Sequence, residues 1–156
     1  KTRNLNIFEG ALERNPFYIC DLPGFGYANL PREERERLGK MIESFFTECA
    51  ALTMTLILCD SARWPGEEEA AIERILLEKG RKVQWVFTRW DRLNQKEKAK
   101  ARKRWKEMGI ASEAVAVSST KGTGLNELRK RIRRSVEEFY GLPSQKSKDQ
   151  PFSEES

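Results

Sequence analysis

The sequence predicts an α/β fold built on a doubly wound, mostly parallel sheet. Three observations predict it. Apolar runs alternate along the chain with amphipathic stretches of helical period. Thr53 to Cys59, Val83 to Thr88 and Ala114 to Val117 are nearly unbroken apolar or β-branched runs, the pattern of strands covered on both faces. The stretches between them are long enough for the crossover helices that parallel pairing needs.

Taken in order, Leu5-Asn6-Ile7-Phe8 is a short strand, and Pro16 to Asp21 is an apolar run ending on an acid. Pro31 opens a helix in which Leu38, Met41, Ile42, Phe45 and Phe46 recur at helical spacing to about Cys49. After the Thr53–Cys59 strand, Pro65-Gly66 breaks the chain. Glu67 to Lys79 then forms a helix with Ala70, Ala71, Ile75 and Leu76 inward. Acids crowd its first turn, where the helix dipole favours them, and Gly80 stops it. Val83 to Thr88 is followed by a very basic helix, Gln95 to Met108. Ala114 to Val117 is followed by a last helix, Leu125 to Phe139, ended by Gly141-Leu142-Pro143. Residues 1–141 are expected to form one domain and 142–156 a disordered polar tail.

Composition excludes several chemistries. There is no histidine among the 156 residues, so Ser-His-Asp triads, Cys-His proteases, His-ligated zinc and imidazole bases are all out. Cys20, Cys49 and Cys59 make an odd count without a C-x-x-C pair. Reduced, buried thiols suit Cys20 and Cys59 better than metal or redox use, and point to a cytoplasmic location. Mean hydropathy is −0.69 and no apolar run approaches the ~20 residues of a membrane span, so no membrane partner is expected. The 29 basic against 24 acidic residues leave +5, which favours an anionic partner without choosing among nucleotide, nucleic acid and membrane.

In a doubly wound sheet, ligands bind beyond the carboxyl ends of the strands. Three such ends carry polar motifs: Asp21-Leu22-Pro23-Gly24, Thr88-Arg89-Trp90-Asp91 and Ser118-Ser119-Thr120-Lys121-Gly122. Singly each is weak, since an acid at a strand end is often only a helix cap. Together and in this order they describe a nucleotide site. A carboxylate at Asp21 can hold a Mg²⁺-bound water near triphosphate oxygens. A glycine at Gly24 lets a backbone N–H approach a terminal phosphate. One carboxylate at Asp91 can accept from both N1–H and the exocyclic amine of guanine, a pair adenine does not offer. Backbone N–H groups of the Ser118-Ser119-Thr120 turn can donate to the guanine carbonyl.

With these residues in view, the chain resembles the translation-factor-related GTPases, and within them the EngB (YihA/YsxC) family of bacterial ribosome-assembly GTPases. Asp21-Leu22-Pro23-Gly24-Phe25-Gly26-Tyr27-Ala28 resembles that family's D-L-P-G-Y-G-Y-A. Lys1-Thr2-Arg3-Asn4-Leu5-Asn6-Ile7-Phe8 resembles its switch I segment, in which the threonine ligates Mg²⁺. Thr88 to Leu93 resembles T-K-x-D-K-L, and Ser118 to Gly124 resembles S-S-x-K-G-x-G. The resemblance implies a P-loop NTPase-type domain binding GTP/GDP with Mg²⁺. Nucleotide contacts would come from Lys1, Thr2, Arg3, Asn4, Asp21, Leu22, Pro23, Gly24, Thr88, Arg89, Trp90, Asp91, Ser118, Ser119, Thr120 and Lys121. The metal would be held by Thr2 and, through water, by Asp21. Slow GTP hydrolysis is implied too, because Phe25 stands where many signalling GTPases carry glutamine. Further implied are a role in large ribosomal subunit assembly, a link to septation in cell division, and a monomer.

Two departures stand out. Arg89 replaces the family's lysine, whose stem packs on the base; an arginine stem and planar head can stack similarly. No G-x-x-x-x-G-K-[ST] occurs; at the nearest approach, Gly39-Lys40, Glu34 and Met41 occupy the other required positions. The resemblance puts the phosphate loop, the first strand and the first helix ahead of switch I, with that strand between those of Cys20 and Cys59. The chain is therefore expected to be N-terminally incomplete, holding the base-reading half and part of the Mg²⁺ shell.

Basic residues crowd two helices: Lys96, Lys98, Lys100, Arg102, Lys103, Arg104 and Lys106 on one, Arg129, Lys130, Arg131, Arg133 and Arg134 on the other. They are either solvated outer faces or a footprint on the phosphates of ribosomal RNA. Trp105 is expected to face the core rather than to stack on bases. The alternative overall is a degenerate GTPase acting as a nucleotide-independent RNA-binding or scaffolding protein.

Overall fold

The computed structural model describes residues 6–22 and 31–143. The chain divides into two compact units, Lys1–Ala51 with Val136–Ser156, and Leu52–Ser135.

The first unit contains a hairpin of β1 (Asn6–Leu12) and β2 (Asn15–Asp21), paired antiparallel from Asn6↔Asp21 to Leu12↔Asn15. Glu13 enters the two-residue loop with φ of 58°. β1 runs further than the apolar segment Leu5–Phe8 suggests. Gly10 would ordinarily weaken a strand, but it pairs with Phe17, whose ring covers it: a Cβ there would lie 2.6 Å from Phe17 Cζ. Helix α1 (Arg32–Glu48) buries Leu38, Ile42 and Phe46, one stripe at i, i+4, i+8. The end of helix α4 (Leu125–Tyr140) also belongs here, where Tyr140 Oη donates to the Pro16 carbonyl at 2.7 Å.

The second unit is a parallel sheet of β3 (Thr55–Asp60), β4 (Val83–Thr88) and β5 (Ala114–Ala116), in the order β3-β4-β5. Helices α2 (Glu67–Glu78) and α3 (Gln95–Glu107) make the crossovers. β4 lies between the other two strands and is covered on both faces, with Gln84 to Phe87 all buried. On one face Trp85, Phe87, Trp105 and Trp90 form a continuous aromatic stack, with centroid steps of 6.2, 4.5 and 5.3 Å. Trp105 thus faces the core, as expected. On the other face Val86, Val115 and Val117 pack with Leu56, Leu125 and Leu128.

Two helix starts are capped by side chains, that of α3 reciprocally and that of α2 from one side only. Asn94 Oδ1 accepts from the Glu97 N–H at 2.9 Å while Glu97 Oε2 accepts from the Asn94 N–H at 2.8 Å. In α2, Glu69 reaches back to the Gly66 N–H at 2.7 Å. β3 departs from its sequence pattern. Leu58 is 59% exposed, so this strand is not covered on both faces. Among the described residues β3 also has a strand neighbour on one side only.

Candidate functional site

The carboxyl ends of β3, β4 and β5 come together in the second unit through hydrogen bonds between neighbouring strand ends. The Val117 N–H donates to the Phe87 carbonyl at 2.8 Å, and the Trp90 N–H donates to the Val117 carbonyl at 3.0 Å. The Thr88–Asp91 turn is thereby tied to the Ser118–Lys121 turn. Trp90, 5% exposed, plugs its loop into the aromatic stack, and Trp90–Arg92 form one turn of 3₁₀-helix.

Asp91 extends from this turn towards the β5 end. Its Oδ2 accepts from Thr120 Oγ1 at 3.4 Å. Thr120 Oγ1 lies 3.1 Å from Ser118 Oγ, which also accepts the Lys121 N–H at 3.1 Å. Ser118 is fully buried. Hydrogen bonding from Ser118 first, and from Thr120, holds the Asp91 carboxyl below the usual aspartate range despite some desolvation. Asp91 is therefore an exposed, ionised acceptor on a rigid support.

The β5 turn depends on its glycines. The Ser118 N–H closes on the Thr123 carbonyl at 2.9 Å, and Gly122 and Gly124 adopt φ of 69° and 73°. The amides of Ser119 and Thr120 have no hydrogen-bond partner among the described residues.

Of the residues expected from sequence, Thr88, Arg89, Trp90, Asp91, Ser118, Ser119, Thr120 and Lys121 are brought to this one edge. Asp21 and Leu22 end β2 in the first unit, Asp21 exposed and paired across the hairpin with Asn6. Lys1, Thr2, Arg3, Asn4, Pro23 and Gly24 lie outside the described residues, as does the tail from Ser144. Among the described residues no cluster of three carboxylates or thiols could hold a metal ion. Asp21, exposed and anionic, suits a hard cation held through water rather than a cage of protein ligands.

Sequence reasoning missed Asp60. It ends β3 and accepts from Arg89 Nη1 at 2.8 Å, while its other oxygen accepts the Ala62 N–H at 2.9 Å. The Ala62 hydrogen bond, and then Arg89, hold its carboxyl below the usual range against a desolvation penalty. The signal was available, since Asp60 is an acid at the end of an apolar run, as is Asp21.

The fold and this edge define the class: a P-loop-type α/β GTPase fold. The chain superimposes on a crystal structure described as a probable GTP-binding protein EngB with a TM-score of 0.66, covering 88% of this chain and 86% of that one at 17% identity. It superimposes on Aquifex aeolicus Era bound to GDP·AlF₄⁻ with a TM-score of 0.67, covering 99% of this chain and half of Era at 17% identity. A structure of Era in complex with MgGDPNP and nucleotides of 16S ribosomal RNA matches with a TM-score of 0.66, over 96% of this chain and 50% of Era at 17% identity. No family model matches the chain. Its similarity to individual proteins is clear. It is 36% identical over 136 residues to the "Probable GTP-binding protein EngB" of Chlorobaculum parvum, spanning 85% of this chain and 68% of that protein. It is 31% identical over 136 residues to the Desulfovibrio desulfuricans protein of the same name, spanning 87% and 66%. The chain belongs to the EngB family of GTP-binding proteins. It spans roughly two thirds of the length of these relatives, 66% and 64% for those of D. desulfuricans and Leptospira biflexa.

Proposed function

We propose that the protein binds GTP and GDP with Mg²⁺, hydrolyses GTP slowly and works in the cytoplasm as a monomer in assembly of the large ribosomal subunit, with a link to septation. Asp91 carries the reading: an ionised carboxylate at the end of the central strand β4, held by hydroxyls of the β5 turn. In this reading the carboxylate accepts from guanine N1–H and N2–H, and the Ser119 and Thr120 amides donate to O6. Lys121 borders the base, and Thr88, Trp90 and Ser118 support from within the turns that form the site. Lys1, Arg3, Asn4, Leu22, Pro23 and Gly24 would complete the nucleotide contacts. Mg²⁺, held by Thr2 and through water by Asp21, would supply charge neutralisation at the phosphates. Phe25, in place of a water-orienting glutamine, keeps hydrolysis slow.

Era's complex with ribosomal RNA supports an RNA-linked role for a protein of this fold, and the basic helix α3 points the same way. The second reading is a degenerate GTPase acting as a nucleotide-independent RNA-binding or scaffolding protein, which the exposed basic helix α3 would also serve. A fluorescence titration of the full-length protein separates the two. The first reading expects GDP to bind and ADP not to; the second expects neither.

A further inference from the structure

Arg89 and Asp91 leave the same turn in opposite directions along the carboxyl edge of the sheet. Asp91 meets Thr120 on the β5 side, whereas the Arg89 guanidinium meets Asp60 on the β3 side. The backbone between them is strongly determined. Ser61 donates to the Thr88 carbonyl twice, from its N–H at 2.9 Å and its Oγ at 2.5 Å. Thr88 Oγ1 donates back to the Cys59 carbonyl at 3.2 Å. Arg89 itself is left-handed, with φ of 57°, a conformation that costs a non-glycine residue energy and persists only where its surroundings impose it.

The ion pair adds little to folding. Its side chains are 57% and 29% exposed, and pairs so exposed are screened by water. Its effect is on one long side chain, which it orders in advance. Asp60 is itself held, because its second oxygen is engaged by the Ala62 N–H.

We infer that Asp60 is a positioning residue for nucleotide binding: it holds Arg89 extended along the sheet edge, so that the arginine stem and planar head form a floor for the guanine ring whose edge Asp91 reads. This rests on the guanine-binding reading above. Without Asp60, the arginine must be ordered when nucleotide binds, and that cost appears as weaker affinity. An arginine makes the device effective, because its planar head stacks on a ring while its N–H groups stay on a carboxylate.

The test is GDP titration of the full-length protein and its variants. Asp60→Asn is expected to weaken GDP about three- to tenfold, the range for ordering one flexible side chain. Asp60→Glu should recover part of the loss. In an Arg89→Ala background, Asp60→Asn should have no further effect. The preference for GDP over xanthosine diphosphate, which belongs to Asp91, and the thermal midpoint should both stay put. Unchanged affinity in Asp60→Asn, an equal loss in the Arg89→Ala background, or a loss that follows the melting temperature would overturn the inference. Asp91→Asn is run alongside. If Asp91→Asn loses GDP and Asp60→Asn does not, the positioning role alone falls. If Asp91→Asn leaves GDP affinity untouched, or the protein binds no GDP, the guanine reading falls and takes this inference with it.

Discussion

A methyl group on Gly124 would lie 1.9 Å from the Ala116 carbonyl oxygen, at a backbone φ of 73°. Backbone cannot yield as a side chain can, so Gly124→Ala combines left-handed strain with a clash at the end of β5. The expected cost is about 2–5 kcal/mol, read as a lower urea midpoint. Gly122→Ala is the control: φ is 69° but nothing lies within 4 Å, so about 1–2 kcal/mol of strain is expected. Equal losses at the two positions would mean that the Ala116 contact does not govern the turn. Glu69 sets a second expectation. It is 2% exposed and ion-paired with Arg63. Burial raises its pKa, but the Arg63 and Gly66 hydrogen bonds outweigh burial, and the net shift is downward. A carboxyl lowered on folding contributes stability in full above its unfolded pKa of about 4.3, and loses it as pH falls through the folded value. The urea midpoint should therefore hold from pH 7 to about 5 and drop towards pH 3. Glu69→Gln should start lower at pH 7 and fall less steeply, and parallel curves would exclude the pair as a source of acid sensitivity. Cys59 behaves oppositely: burial first, then Glu69, pushes its thiol up to about 11, so it should resist alkylation in the native state.

At the scale of elements, the two basic helices part company. In α4, Arg131 is structural: it donates to Gln84 Oε1 at 3.0 Å and the Ser112 carbonyl at 2.9 Å, and pairs with Glu127. In α3, Lys96, Lys100, Lys103 and Lys106 are exposed, while Ala101 and Trp105 face inward. Arg104 lies 3.9 Å over Trp64, and Arg102 and Lys98 lie 5.4 and 5.9 Å over Trp90. If ribosomal RNA is the partner, α3 should carry the contact. Lys100→Glu with Lys103→Glu and Arg104→Glu should weaken co-sedimentation with large-subunit particles and flatten its salt dependence, with GDP affinity nearly intact. Lys130→Glu in α4 should do much less. Co-sedimentation indifferent to both would make the positive charge a solvated face. The same elements show what was legible in the sequence. β4 was, because a middle strand covered on both faces is largely apolar, with Gln84 the buried exception, and α1 and α4 were, because burial on one side imposes helical spacing. For α2 the span was legible but not the whole inward face, since Ala70 and Ala71 are exposed while Glu69 and Leu76 are buried. β1 was legible only in part: Glu9 and Gly10 interrupt its apolar pattern, and Phe17 on the partner strand compensates for the glycine. The exposure of Leu58 could not be read, since whether a face is covered depends on what packs over it and not on the strand's own residues.

For the molecule as a whole, the residues proposed to read the base were placed from sequence just beyond strand ends, and in the second unit parallel order brings those ends together. Arg89, Asp91 and Thr120 occupy that edge as the spacing implied, but the Asp60–Arg89 contact spans 29 residues and follows only from β3 lying beside β4. Thr2, expected at the Mg²⁺, and Gly24, expected at a terminal phosphate, are outside the described residues, and the chain spans roughly two thirds of its relatives. No described helix is long and apolar enough to cross a membrane. Guanine recognition by Asp91 is the proposal on which the others depend. Its most direct test is titration of full-length wild type and Asp91→Asn with GDP and xanthosine diphosphate. The variant is expected to lose about 2–5 kcal/mol of GDP affinity, the scale for a truncated charged hydrogen-bond pair, and to turn to the xanthine nucleotide, whose carbonyl the new amide can serve. GDP affinity unchanged by the substitution would contradict the proposal.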